Sequence, residues 1–269
     1  MPAAELSKLK AQISAISTQF EEPPIFLHSV LALMELYSDQ HYKPGDLSGV
    51  RHLIPEYRLP ALVIQQLSIS LSELTVAKPI PALQIMDVLW QDKYFEPRLI
   101  AAVMLGSLPT HPLKTISERI RNWVNPEIDN DLITALLNSC HRLFSVENMG
   151  GWLDQIHHWA KQDNTGFIKI GLQGLQLILD DPNFVNIEKI FPLIEPIMLH
   201  PKTALQKDLF SLIESLDNYS EMETTAFLRS ILSQTIDTGV IRFVRRCLPL
   251  LEPESQANLK SLMNPPKKI

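Results

Sequence analysis

Three carboxylates stand close together in the stretch NPEIDNDLITALL, where the sequence predicts the start of a helix. They belong to Glu127, Asp129 and Asp131. Acidic side chains stabilise a helix N-terminus by about 0.3–1 kcal/mol, because they complement the helix dipole and cap free amides. The same pattern would also suit a catalytic site in which Asp131 acts as a base or stabilises a cation. The residues alone leave both interpretations open.

A group of basic residues lies on the predicted helices toward the C-terminus. Arg242, Arg245 and Arg246 have the i, i+3, i+4 spacing that places side chains on one helix face. Lys169 and Lys202 lie on two other predicted helices and could join the arginines across one surface. Such a surface is either a solvated face or a binding patch for phosphates or an acidic partner. These five side chains are the predicted binding residues.

The tryptophans and cysteines of the predicted helices fit structural roles. Trp123, Trp152 and Trp159 recur in the first helices of helix pairs, and Trp152 and Trp159 lie on one apolar stripe. This pattern favours core packing over the stacking of nucleic-acid bases. Cys140 and Cys247 lie in apolar surroundings and are predicted to be buried free thiols rather than a disulfide framework.

The sequence predicts neither a metal nor a cofactor. Asp154, His157 and His158 could offer ligands, but adjacent histidines point in different directions on a helix and no third ligand has suitable spacing. His141 directly follows Cys140, and neighbours in a helix do not face each other, so no thiol–imidazole pair is expected. The chain also has no Gly-rich phosphate loop, no GxSxG and no HExxH motif.

These side chains are positioned by predicted helices, which recur in pairs from Pro79 onward. The pairs start near residues 79, 112, 147, 182 and 221, at spacings of about 33 to 39 residues, the range of helical solenoid repeats. Earlier helices are predicted at 3–20, 25–39 and 60–76, with a long loop at 40–59. The predicted fold is an all-α right-handed superhelix, an α-α solenoid of HEAT-like repeats. Residues 1–76 would cap it, residues 77–263 would form the helix-pair array, and residues 264–269 would be a disordered tail.

Composition narrows the class of protein further. The chain has 269 residues with only 9 Gly but 20 Pro, which suits helices bounded by prolines better than strands and turns. Its net charge is -6, so the chain as a whole has no excess of basic residues to bind DNA phosphates. No stretch has the apolar core of a signal peptide or a membrane span. We therefore expect a cytoplasmic monomer without a membrane segment.

Several stretches follow one another in the order found in a known protein family. LSGVRHLIPEYRLPALVIQQL matches an early segment leading into a helix, and LWQDKYFEPRLIAAVMLGSL matches a hairpin with Trp, Glu and Arg. IHHWAKQDNTGFIKIGLQGL matches a later hairpin, and IRFVRRCLPLL matches a late helix. On these segments the chain resembles the bacterial DNA alkylation-repair glycosylases, which consist of HEAT-like repeats. The resemblance covers about residues 45 to 263 and implies a concave surface that holds double-stranded DNA.

The resemblance also implies four site positions, of which this chain keeps one. The family's Asp falls on Asp131, whereas its two Trp residues fall on Glu127 and near Leu250. Its Arg falls near Ile168 or Lys169. A Glu and a Leu supply no π face for a cationic alkylated base. We therefore expect a divergent member of the family that is a non-catalytic scaffold, binding a protein or nucleic-acid partner on its concave face. The alternative is a DNA glycosylase that excises N-alkylated purines with Asp131 as its catalytic residue.

Overall fold

The computed structural model describes residues 3–38, 52, 54–109, 113–145 and 148–263. Within these ranges the protein is helical and has no β-strand, so the all-α class is confirmed. The predicted tail at 264–269 and most of the predicted loop at 40–59 lie outside the described residues. The α-helices in the described ranges are α1 (Ala3–Ser17), α2 (Pro23–Tyr37), α3 (Ala61–Ala77), α4 (Pro79–Trp90), α5 (Phe95–Leu105), α6 (Leu113–Trp123), α7 (Asn130–Ser145), α8 (Met149–Ala160), α9 (Thr165–Leu179), α10 (Phe191–Leu199), α11 (Gln206–Tyr219), α12 (Glu221–Gln234), α13 (Thr238–Cys247) and α14 (Pro253–Met263).

Three of these helices begin with the same side-chain cap. Asp129, Asn164 and Asp237 stand before α7, α9 and α13, and each accepts a hydrogen bond from the amide two residues further on. The three donor–acceptor distances are 3.0, 2.8 and 2.6 Å. Such caps satisfy one of the amides that a helix N-terminus leaves without an intrahelical partner. The same cap therefore marks the start of these three helices.

The helix pair predicted to start near residue 182 begins later in the structure. Oδ1 of Asp181 accepts the amide of Asn183 at 2.9 Å, which closes an Asx turn at this point instead of a helix. A short 3-10 helix at Ile187–Lys189 follows, and α10 begins only at Phe191. Pro182 thus belongs to a turn rather than to a helix start.

The chain forms two compact units, residues 1–149 and residues 150–269. In the first unit α1, α3, α5 and α7 pack side by side in that order, and α4 packs against α2, α3 and α5. Trp90 of α4 stacks on Trp123 of α6, with ring centroids 4.7 Å apart. Gly106 follows α5 directly, and a Cβ at this position would lie 3.0 Å from Cα of Ser139 in α7. The predicted boundary near residue 76 falls inside this unit, and the capping role of residues 1–76 stays a prediction.

In the second unit α9, α11 and α13 form one row of neighbouring helices. A second row consists of α10, α12 and α14, and α11 and α12 join the two rows. Helix α8 packs closely on α9. A Cβ at Gly174 would lie only 3.0 Å from Cγ1 of Ile156, and a Cβ at Gly171 would lie 3.2 Å from the amide nitrogen of Ala160. Small residues therefore set the distance between these two helices.

None of the helices in the described ranges combines the length and the apolar character that crossing a bilayer requires.

Candidate functional site

Asp129 and Asp131 occupy different environments at the start of α7. Asp129 is the capping residue: its Oδ1 accepts the amide of Asp131 at 3.0 Å, and its carbonyl accepts the amide of Ile133 at 3.1 Å. The side chain of Asp129 is 6% exposed, whereas that of Asp131 is 54% exposed. Glu127 is exposed as well. The capping interpretation therefore applies to Asp129, and the carboxylate of Asp131 faces solvent.

His52 joins these two aspartates from a distant part of the chain. Its Nδ1 lies 3.3 Å from Oδ1 of Asp129 and 3.5 Å from Oδ2 of Asp131. The side chain of His52 is 15% exposed, so Asp131 forms the open side of this group. Sequence reasoning missed His52, because it stands in a stretch predicted to be a loop, 77 residues before Asp129. We call His52, Asp129 and Asp131 the His52 cluster.

The ring of His52 is held between an aromatic side chain and a carboxylate. It stacks on Phe95 with ring centroids 3.6 Å apart and an interplanar angle of 13°. Its Nε2 lies 3.9 Å from Oε1 of Glu56, and the same oxygen accepts the amide of His52 at 3.2 Å. The imidazole therefore has a carboxylate on each of its two nitrogen sides.

The segment that carries Glu56 is in turn fixed by the start of α5. Glu96 is 3% exposed and accepts the amide of Tyr57 at 2.9 Å and that of Leu59 at 3.2 Å. The amide of Phe95 donates to the carbonyl of Pro55 at 2.8 Å. Two stretches on which the family resemblance depends, the segment before α3 and the α4–α5 hairpin, are thus joined by hydrogen bonds.

Local backbone and ring contacts complete this junction. Arg58 has a φ of 57°, in the left-handed region that non-glycine residues rarely adopt, between the two amides that Glu96 accepts. The ring of Tyr57 stacks on Tyr94 with centroids 4.2 Å apart. Burial, and next the negative charge of Asp92, raise the pKa of Tyr57 to about 12. The phenol of Tyr57 is therefore uncharged at neutral pH.

The His52 cluster can do two kinds of chemistry. A protonated imidazole would pair with both aspartates, because each carboxylate oxygen lies within 3.5 Å of Nδ1. Alternatively, a neutral imidazole and two carboxylates are ligands that a divalent metal ion accepts. Within the described ranges, this is the one group of three His, Cys, Asp or Glu residues whose ligand atoms all lie within 4.8 Å of one another.

Four of the five predicted binding residues lie on the row of α9, α11 and α13 in the second unit. Lys169 and Arg242 each take the fifth position of their helix, and both are exposed. Arg245 and Arg246 are exposed one turn further along α13. The guanidinium of Arg246 lies over the ring of Phe210 in α11, 5.3 Å from its centroid, in cation–π contact. We call Lys169, Arg242, Arg245 and Arg246 the basic row.

Lys202 has a different environment from the basic row. Its Nζ donates to the carbonyl of Asp163 at 3.3 Å. It lines a cavity of about 370 Å³ together with His157, Lys161 and His200. Burial, and next the positive charge of Lys161, lower the pKa of His157. The predicted binding residues therefore divide between an exposed helix face and a cavity.

The remaining predicted roles are structural. Trp123, Trp152 and Trp159 are at most 5% exposed, which confirms their packing in the core. Cys140 and Cys247 are buried free thiols, as predicted. Burial raises the pKa of Cys140 far above its ordinary value and that of Cys247 to about 12. Neither thiol is suited to act as a nucleophile, because the reactive species is the thiolate.

Comparison of the chain with models of protein families finds no match. Comparisons with curated proteins and with solved structures also find none. The resemblance to the alkylation-repair glycosylases therefore stays a prediction.

Proposed function

We propose that this protein is a non-catalytic scaffold, a right-handed solenoid of HEAT-like repeats, that binds an acidic segment of a partner protein through its basic row. The proposal keeps the predicted relationship to the DNA alkylation-repair glycosylases as a divergent one. It further takes the protein to be a cytoplasmic monomer. The buried free thiols are compatible with the cytoplasm, since disulfides are rare in reducing compartments.

Recurrence of one helix start supports the repeat architecture. The three caps are the first residues of DNDLITA, NTGFIKI and DTGVIRF, and each stretch has an isoleucine four residues after its cap. They are separated by 35 residues (129 to 164) and by 73 residues (164 to 237), close to one and two helix pairs. Within each unit, helices two apart in sequence pack side by side, as stacked helix pairs do.

The observation that carries the binding proposal is that the basic row has no ion-pair partner among the described residues. Across the described ranges, no carboxylate lies within 4.0 Å of Lys169, Arg242, Arg245 or Arg246 in an ion pair. By contrast, Arg119 of α6 pairs with Asp87 of α4 through two contacts of 2.6 and 2.7 Å. Arginines that lack an internal carboxylate partner remain available to form bidentate contacts with an external carboxylate.

The charge of the chain favours an acidic protein segment over a DNA duplex as the partner. The net charge is -6, and α11 exposes Glu214 within the same row of helices. A duplex presents a dense and continuous array of phosphates, which would meet this negative charge along its length. A short acidic segment can place its carboxylates against individual guanidinium groups.

The proposal is tested by fluorescence anisotropy with a labelled peptide of alternating Glu and Ser across a salt series. The double variant Arg242→Gln/Arg245→Gln should weaken binding about tenfold, the effect of losing roughly 1.4 kcal/mol in total from two exposed charge contacts. The variant Arg229→Gln/Lys260→Gln makes the same change in net charge on α12 and α14 and should bind as the wild type does. Equal weakening by the two variants would show only a general charge effect and would refute the proposal.

A second candidate function is the excision of N-alkylated purines from DNA. The observation that favours it is the exposed carboxylate of Asp131, held beside His52 at 3.5 Å. The test is release of 7-methylguanine from a labelled duplex, together with binding to a duplex that carries an abasic-site analogue. Base release that is lost in Asp131→Asn would replace the scaffold proposal with the enzyme.

A further inference from the structure

We propose that the His52 cluster is a binding site for a divalent first-row transition-metal ion such as Zn²⁺. The site lies wholly within residues 1–149 and is independent of the basic row, which lies in the second unit. The proposal departs from the sequence-based expectation of no metal, since that expectation weighed only Asp154, His157 and His158.

The distances around Nδ1 suit a small tetrahedral ion. Ligand atoms about 2.1 Å from a tetrahedral zinc ion are separated from one another by about 3.4 Å. Nδ1 of His52 lies 3.3 Å from Oδ1 of Asp129 and 3.5 Å from Oδ2 of Asp131. These two separations need little movement of the ring or of the buried Asp129, and the third, between the two carboxylate oxygens, lies within 4.8 Å. Any adjustment falls to Asp131, whose side chain is half exposed.

Glu56 lies near the other ring nitrogen of His52 and can support the imidazole as a metal ligand. Its carboxylate lies 3.9 Å from Nε2 of His52, on the side of the ring opposite the aspartates. When a metal ion occupies Nδ1, the ring proton must sit on Nε2, where the negative charge of Glu56 at 3.9 Å would stabilise it, in the role that outer carboxylates play at histidine metal sites. The stack on Phe95 fixes the plane of the ring. A bound ion would take the place of the proton that Nδ1 otherwise shares with the two aspartates.

The ligand types indicate the class of ion. One imidazole nitrogen and two carboxylate oxygens favour Zn²⁺, Co²⁺ or Mn²⁺ over Mg²⁺ and Ca²⁺, which prefer oxygen ligands alone. The two aspartate charges balance the charge of a divalent ion. Three protein ligands also leave a fourth position, and the exposure of Asp131 opens that position to solvent.

The experiment is a calorimetric titration of the full chain, stripped with a chelator, with ZnCl₂. We expect one equivalent of Zn²⁺ to bind, with the affinity reduced roughly 100-fold or more in His52→Gln and Asp131→Asn and about 10- to 100-fold in Glu56→Gln, which retains all three ligands. His158→Gln removes an exposed histidine of α8 and should leave the titration unchanged. MgCl₂ should give no comparable binding.

One further variant and two further measurements separate the loss of a ligand from the loss of structure. Asp129→Asn keeps an acceptor for the amide of Asp131, so α7 should still start correctly while zinc binding weakens. Zn²⁺ should raise the melting temperature of the wild type and of His158→Gln, but not that of Asp131→Asn. Co²⁺ should give visible absorption bands that His52→Gln abolishes. Absence of saturable Zn²⁺ binding, or wild-type binding in the folded His52→Gln and Asp131→Asn variants, would overturn the proposal.

Discussion

Removing the carboxylate of Glu96 should release the segment that carries Glu56 from the start of α5. Glu96 accepts two backbone amides at 2.9 and 3.2 Å while only 3% exposed. A hydrogen bond to a charged group contributes about 1.5–3 kcal/mol, and an amide left buried without a partner carries a penalty of similar size. We therefore expect Glu96→Ala to lower the free energy of unfolding by about 3–5 kcal/mol. Glu96→Gln keeps one acceptor oxygen and should cost about half as much.

The assay combines denaturant unfolding with site-resolved hydrogen exchange. The amides of Tyr57 and Leu59 should lose protection in Glu96→Ala. The amide of Phe95, which donates to the carbonyl of Pro55 on the same segment, should lose protection together with them. Glu127→Gln, at an exposed carboxylate near the start of α7, should change stability by less than about 0.5 kcal/mol. If Glu96→Ala changes the free energy of unfolding by less than about 0.5 kcal/mol and both amides keep their protection, the carboxylate does not hold the segment.

Two further predictions concern the second unit. Asp237→Ala removes the cap that accepts the amide of Gly239 at 2.6 Å and should lower stability by about 1 kcal/mol, whereas Asp237→Asn should be nearly neutral in denaturant unfolding. Burial raises the pKa of Cys247 to about 12 in the folded protein, above the ordinary value of about 8.5 that the unfolded thiol keeps. The contribution of this protonated thiol should therefore be intact below about pH 8.5 and lost as the pH rises toward 12, because only the unfolded chain ionises in that range. Urea midpoints of the wild type and of Cys247→Ala should converge between pH 8 and 10; parallel pH profiles would contradict this account.

The helices could be predicted from the sequence because local residue patterns indicate both where a helix starts and which of its side chains are buried. Prolines take the first or second position of α2, α4 and α10, and Asx residues cap α7, α9 and α13. Apolar spacing identified the buried tryptophans for the same reason. The late start of α10 was not predictable in this way, because Asp181 and Pro182 are equally suited to a turn and to a helix start.

The His52 cluster could not be predicted, because no local spacing relates its members. His52 reaches Asp129 only after the 54–60 segment folds back on the α4–α5 hairpin, where Glu96 and Phe95 hold it. These contacts join residues dozens of positions apart through a buried carboxylate and a ring stack. The exposure of the three arginines of the basic row, in contrast, follows from their i, i+3, i+4 spacing on α13.

All four tryptophans of the chain occur as two pairs, one in each unit, and this gives the protein two internal optical reporters. Trp90 and Trp123 are nearly parallel at an interplanar angle of 8°, whereas Trp152 and Trp159 are nearly perpendicular at 86°. Indole transitions couple according to the relative orientation of the rings, so the two pairs contribute differently to circular dichroism in the near ultraviolet. A single Trp→Phe replacement in either pair therefore assigns a spectral change to one unit. The melting of each half of the chain can be followed without an attached dye.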